Sequence, residues 1–209
     1  MAKDSIRVKY STGLGEVTGF VSVAKPSTTY DKDGLYQLNI LIDEKEGKAL
    51  QKKIAELIQE QFEKFRKNNK KADITACIPY VKVEKDENGR IIKEIPDPDG
   101  RYILKTKNKA YIKDGKVGQK IQVFDSKLNP VDVVNFGEGS KVKLGITLEG
   151  YSSNLGTGVS VKLRAVQIIE VKNYSGFKAE DFFGEEDGYE YSEDEEAVTD
   201  DEEDEEADF

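Results

Sequence analysis

The chain has 209 residues, with 32 Lys and Arg against 41 Asp and Glu, no histidine, no tryptophan and one cysteine. A single cysteine excludes an intramolecular disulfide; with no histidine beside it, the usual zinc sites and the Ser-His and Cys-His nucleophile pairs are excluded as well. The net charge of −9 is unevenly spread: 180–209 holds 18 of the acidic residues and no Lys or Arg, leaving 32 basic against 23 acidic residues, a net +9, in 1–179.

No leader-like N-terminal run and no stretch near ~18 apolar residues occurs, which predicts a soluble protein of a reducing compartment. The first apolar run, "VTGFVSVAKP", predicts a strand ended by Pro26. After the turn-rich "STTYDKDG" comes "LYQLNILI", whose partial alternation predicts a strand with one face buried. One long helical pattern follows. Asp43 is a capping residue with Glu46 three positions on, Leu50, Ile54, Leu57, Ile58, Phe62 and Phe65 recur at helical spacing, and Arg66, Lys67, Lys70 and Lys71 collect at the end, where the helix dipole favours cations.

From Ile74 onward the pattern is strand and turn, with "ENGR" at 87–90 as a hairpin turn and "PDPDGR" as a loop. Further strands are expected in "RYILKTKNKAYIK", "QKIQVFD", "SKVKLGITLEGY" and "VSVKLRAVQIIEV". Many short strands with one helix after the second predict a mainly β fold. An OB-fold, the five-stranded Greek-key barrel, leads, with a β-sandwich as the competitor that periodicity does not separate. The expected domains are 1–179 and a disordered acidic tail, 180–209, too poor in apolar residues to form a core.

Chemistry concentrates on a few stretches. Lys105, Lys107 and Lys109 share one parity of a strand and so line up at ~7 Å intervals, with Tyr102 and Tyr111 flanking them. This is either a phosphate-tracking face or a solvated edge protected by lysine. Lys141 and Lys143 form a second same-face pair, Lys162 and Arg164 a third, and Tyr151 sits in the intervening loop as a stacking platform or an ordinary loop tyrosine. Binding of single-stranded nucleic acid needs such a basic groove with sequence-tolerant aromatic platforms. The tail, of charge −18 and ending in Asp208–Phe209, can compete with phosphates for a cationic groove and offers an aromatic handle to a partner protein. No P-loop, GxSxG, HExxH or EF-hand pattern occurs, and no cofactor or metal is implied.

Several stretches resemble the single-stranded DNA-binding proteins of short-tailed lytic phages: "VAKP" (23–26), "GLYQLNILI" (34–42), "VFDSK" (123–127), "GSKVKLGITLEGY" (139–151), "GVSVKLRAVQIIEV" (158–171) and the ending "EEADF". The match is poor between about Asn68 and Gly100. This resemblance implies an OB-fold with a helix packed on it, binding single-stranded DNA in phage replication, recombination and repair, in the cytoplasm of the infected bacterium. It further implies homodimers whose tails cover the partner's groove, and recruitment of the phage DNA polymerase and primase-helicase through Asp208 and Phe209. The family's groove residues fall near Lys3, Lys107 and Tyr151, and the basic residues Lys25 and Lys32 join them as candidates. Two positions depart from the family: Asp33 stands before "GLY", with Lys32 one step earlier, where an arginine can occur, and Lys109 stands where an aromatic residue is expected. Two other readings remain open: a protein-interaction or chaperone-like module whose tail binds basic partners, and an enzyme using Asp97 and Asp99 with a metal.

Overall fold

The computed structural model describes residues 5–29, 31–65, 70–113, 116–131, 136–153 and 155–172. Lys3, Asp208, Phe209 and the whole predicted tail lie outside them. In chain order the described elements are β1 (Arg7–Ser11), β2 (Gly15–Ser27), β3 (Leu35–Ile42), α1 (Glu44–Phe65), β4 (Cys77–Pro79), β5 (Val81–Lys85), β6 (Ile91–Pro96), β7 (Tyr102–Lys109), β8 (Ile112–Lys113), β9 (Lys116–Val117), β10 (Gln122–Phe124), β11 (Lys141–Ser153) and β12 (Gly156–Glu170). The described residues are thus mainly β with one helix. Strand β1 was not expected, so the helix follows the third strand rather than the second. β2 also runs one residue past Pro26.

Five of these strands close on themselves. β2 pairs antiparallel with β3, β3 with β7, β12 with β11 and β11 with β2, while β7 and β12 meet in parallel. The second edge of β11 is divided: β2 takes Lys141 and Val142, and β1 takes Gly145 to Glu149. Thr12 forms the corner between β1 and β2, exchanging its backbone N–H and its hydroxyl with the carbonyl and N–H of Leu144, each at 2.9 Å. β4 adds to β7 and β10 to β12, whereas β5–β6 and β8–β9 are separate two-stranded sheets. Inward-facing side chains alternate with outward-facing ones, so Leu38, Ile40, Leu104, Leu144, Ile146, Leu148 and Leu163 fill the interior. "ENGR" makes the β5–β6 turn as expected, with Gly89 at φ 76° and Asp86 Oδ1 accepting the N–H groups of Asn88 and Arg90.

Leu50, Ile54, Leu57 and Ile58 of α1 are buried, as their helical spacing requires. Asp43 caps the helix by accepting the Glu46 N–H at 2.8 Å. The capping box stays half made, because the Glu46 carboxylate accepts the Gly13 N–H at 2.8 Å instead and ties the helix start to the β1–β2 corner. Of the expected basic C-terminal cluster, Arg66 and Lys67 lie outside the described residues and Lys70 and Lys71 come after the helix; the basic residue in its last turn is Lys64, which was not expected. Gln61, only 1% exposed, accepts the Ile6 N–H and fastens the segment leading into β1 to the helix. Cys77 is fully buried, its thiol donating to the Gly47 carbonyl, and burial pushes its pKa up to about 12. Among the described residues no helix is long and apolar enough to cross a membrane.

Gly47 lets the helix approach β7: a Cβ there would lie 2.2 Å from Cγ of Tyr102. Gly47→Ala therefore sets a helix-propensity gain of about 0.8–1 kcal/mol against an overpacking cost of about 1–3 kcal/mol. We expect net destabilisation, measured as a lowered midpoint in thermal or urea unfolding.

Candidate nucleic-acid interface

The alternation of β7 sets the chemistry of the barrel exterior. Tyr102, Leu104, Thr106 and Asn108 are buried, and Lys105, Lys107 and Lys109 are exposed. Across β3 these lysines face Asn39, Gln37 and Leu35 respectively. The other edge of β7 is split, with β4 pairing Tyr102 to Leu104 and β12 meeting Lys107 through Lys162. Between the two opens a groove of about 430 Å³ whose lining includes Gln37, Asn39, Thr75, Lys105, Lys107 and Tyr151. Tyr151 pairs with Gly158, and a Cβ on that glycine would lie 2.5 Å from the Tyr151 hydroxyl, so the missing side chain makes room for the ring. The ring stays 40% exposed on the groove wall.

A second hollow, lined by Phe20, Ser27, Thr29, Leu35 and Gln37, shares Leu35 and Gln37 with the first and extends it along β3. Phe20 is 62% exposed there. Its orientation comes from an irregularity in β2: Thr18 pairs with Asn39 but Ser22 with Gln37, leaving two residues of β2 in excess. Gly19, at φ 68°, supports that distortion. Phe20, Gln37 and Asn39 were not read from the sequence. The residue pair "GF" inside a strand pattern was the available signal.

The expected lysines separate by their partners. Among the described residues Lys105, Lys107 and Lys143 are exposed and enter no ion pair. Lys109 is held by Asp33 at 3.0 Å and Asp31 at 3.1 Å, which together raise its pKa above the ordinary lysine value. Lys141 pairs with Glu16 and holds that carboxyl below its usual range. Lys162 pairs with Glu149, whose other oxygen accepts Arg7 Nε at 2.8 Å. Burial alone would raise the Glu149 carboxyl, but Lys162 and Arg7 together bring it below the usual range. Arg164 donates to Thr147 Oγ1 at 3.3 Å. Lys25 and Lys32 are exposed but line neither hollow.

Two of the expected aromatic platforms change. Tyr102 is 7% exposed and packs on Gly47, because its parity is opposite to that of the lysines; it is a core residue and cannot stack on a base. Tyr111 is 55% exposed, but β7 ends at Lys109 and Tyr111 has φ 53°, so it does not continue the lysine face and lines neither hollow. Asp97 accepts both Nε and Nη2 of Arg101, at 3.0 and 2.8 Å, and so braces its own turn.

No protein-family profile matches the sequence, and no curated protein matches it. Among solved structures, gp2.5, a single-stranded DNA binding protein encoded by bacteriophage T7, is similar with a TM-score of 0.56 at 23% identity, over 90% of this chain and 100% of that one. The single-stranded DNA-binding protein from bacteriophage Enc34 is similar with a TM-score of 0.52 at 12% identity, over 83% of this chain and 88% of that one. Its complex with ssDNA gives 0.51 at 14% identity, over 81% and 89%. The chain has the fold of these phage proteins.

A carboxyl whose folded pKa is depressed contributes stability that is present above the unfolded value and lost as pH falls through the folded one. Glu149→Gln should therefore lower the melting temperature at pH 7, and the difference from the unaltered chain should close below about pH 4. A difference that persists at low pH would assign the effect to packing instead.

Proposed function

We propose that this protein binds single-stranded DNA without sequence preference and acts in phage DNA replication and recombination. The observation that carries this reading is the groove itself. Among the described residues Lys105 and Lys107 have no counter-charge there, Tyr151 and Phe20 stand exposed along its course, and Gln37 and Asn39 lie between the lysines and β2. Unpaired ammonium groups neutralise phosphates, and exposed rings accept any base face. The ring of five strands is an OB-type barrel in this reading, and β3 with β7 forms the face such barrels use for oligonucleotides. A fold shared with proteins named for binding single-stranded DNA adds support.

The remaining parts of the proposal rest on sequence. The acidic stretch 180–209 competes with phosphates for the groove, Asp208 and Phe209 engage the phage polymerase and primase-helicase, and the protein works as a homodimer. Lys3 joins the DNA contacts, and Tyr111, Lys25 and Lys32 contribute at the margins. The cations already neutralised, Lys109, Lys141 and Lys162, contribute less than Lys105 and Lys107.

Binding of a labelled oligo-dT across a salt series tests this directly. Lys105→Ala with Lys107→Ala should weaken binding and flatten the slope of log K against log salt by about 1.4, while Lys141→Ala changes both much less. Tyr151→Ala and Phe20→Ala should each cost about 1–3 kcal/mol. Truncation after Phe183 should tighten binding several-fold at low salt, and removing Phe209 alone should leave it unchanged. If the truncated chain shows no oligo-dT binding and the full chain captures basic proteins, the tail-based interaction module is the correct account.

A further inference from the structure

The outer face of the barrel does not end at the groove. One transverse row of paired residues runs from Gln37 of β3 to Lys107 of β7, Lys162 of β12, Thr147 of β11 and Lys9 of β1. With neighbouring strands roughly 4.8 Å apart, β7 and β1 are separated by about 14 Å along this curved surface. At its far end lies a hollow of about 780 Å³, larger than the groove, lined by Arg7, Lys9, Ser11, Thr147 and Arg164 among others. None of these residues except Arg164 was singled out from sequence.

Three features make this hollow fit a polyanion. First, β12 carries a bulge there: Gly145 pairs with Ala165 but Ile146 with Leu163, so Arg164 is the extra residue. Strand alternation puts Arg164 outward with Lys162, opposite the buried Val161 and Leu163, and its bond to Thr147, which pairs with Lys9, holds it on the β1 side. Second, Lys9 is exposed and, among the described residues, enters no ion pair. Third, a carboxylate beside these cations, Glu149, is 9% exposed and has both oxygens engaged, one by Arg7 and one by Lys162. It repels an incoming phosphate little, and it holds two cationic heads in place while their remaining N–H groups stay free to donate. An edge strand needs lysine only to discourage pairing; that does not account for a bulged arginine and a buried acid organising the same surface.

We propose that this hollow is a second phosphate subsite for the same single strand, which leaves the β3–β7 groove, crosses β12 and β11 over Lys162, and seats its next phosphates on Arg164, Lys9 and Arg7. The inference rests on the reading of the groove given above. It makes the length of bound strand greater than the groove alone could hold.

The test compares the full chain with Lys9→Ala/Arg164→Ala on two labelled oligonucleotides, dT of about 6 and about 20 nucleotides, chosen around the usual occupancy of one such barrel. The expected result is selective: affinity for the longer strand falls at least about tenfold at ~0.1 M salt and its salt slope flattens by about 1.4, while affinity for the short strand is unchanged. Lys9→Glu alone, at an exposed edge position, should give the same length-selective loss, so that any folding defect of the double variant does not decide the matter. Equal losses on both lengths would overturn the subsite in favour of a general field effect on the groove. No loss on the longer strand would overturn it with the groove intact. Failure of the unaltered chain to bind either length would overturn the parent reading and this one together.

Discussion

The ring of strands closes where β7 meets β12, and the two residues that meet there are both lysines, Lys107 and Lys162. Like charges on directly opposed positions disfavour strand pairing, so this closure needs an anion nearby. Glu149 supplies it from β11, engaging Lys162 and leaving Lys107 without an ion-pair partner among the described residues. The arrangement does two things at once. It seals a core in which Leu104, Leu144 and Leu163 are fully buried, and it leaves Lys107 unbalanced among the described residues, beside Lys105, where β4 and β12 part to form the groove.

That imbalance is repeated with variations over the exterior. Where a lysine is matched by carboxylates, as Lys109 by Asp31 and Asp33 or Lys141 by Glu16, it fastens a loop or a strand end. Where it is unmatched among the described residues, as at Lys105 and Lys107, it stands in the groove that Tyr151 also lines. Equal counts of basic residues can therefore mean different things, and the distinction lies in which acids the fold brings alongside. Lys109 shows this well: it shares the exposed face of Lys105 and Lys107, yet Asp31 and Asp33 neutralise it.

Much of this was legible in the sequence because single strands obey a period of two. The parity of β7 put Lys105 and Lys107 on one face, and the helical spacing from Leu50 to Ile58 placed α1. The same parity argued against Tyr102 as a platform, since it shares the register of Leu104 and Thr106. What the sequence hid were the interruptions of that period. The bulge at Arg164 shifts the buried positions from Val161 and Leu163 to Val166 and Ile168, and the irregularity at Gly19 turns Phe20 outward. β1 was missed for a different reason. Its apolar residues Val8 and Tyr10 alternate with Arg7, Lys9 and Ser11, but five residues make a weak signal until β11 offers an edge.

The burial of Cys77 carries a practical consequence. The thiolate is the reactive form, and a thiol held under α1 with its pKa near 12 is almost wholly protonated at neutral pH and shielded from reagents as well. The natural chain thus offers a silent background for maleimide chemistry. A cysteine introduced at an outward position on β12 or β1 would be the only fast-reacting sulfur among the described residues, so a fluorophore or spin label could be set at either end of the basic track without first removing the native one.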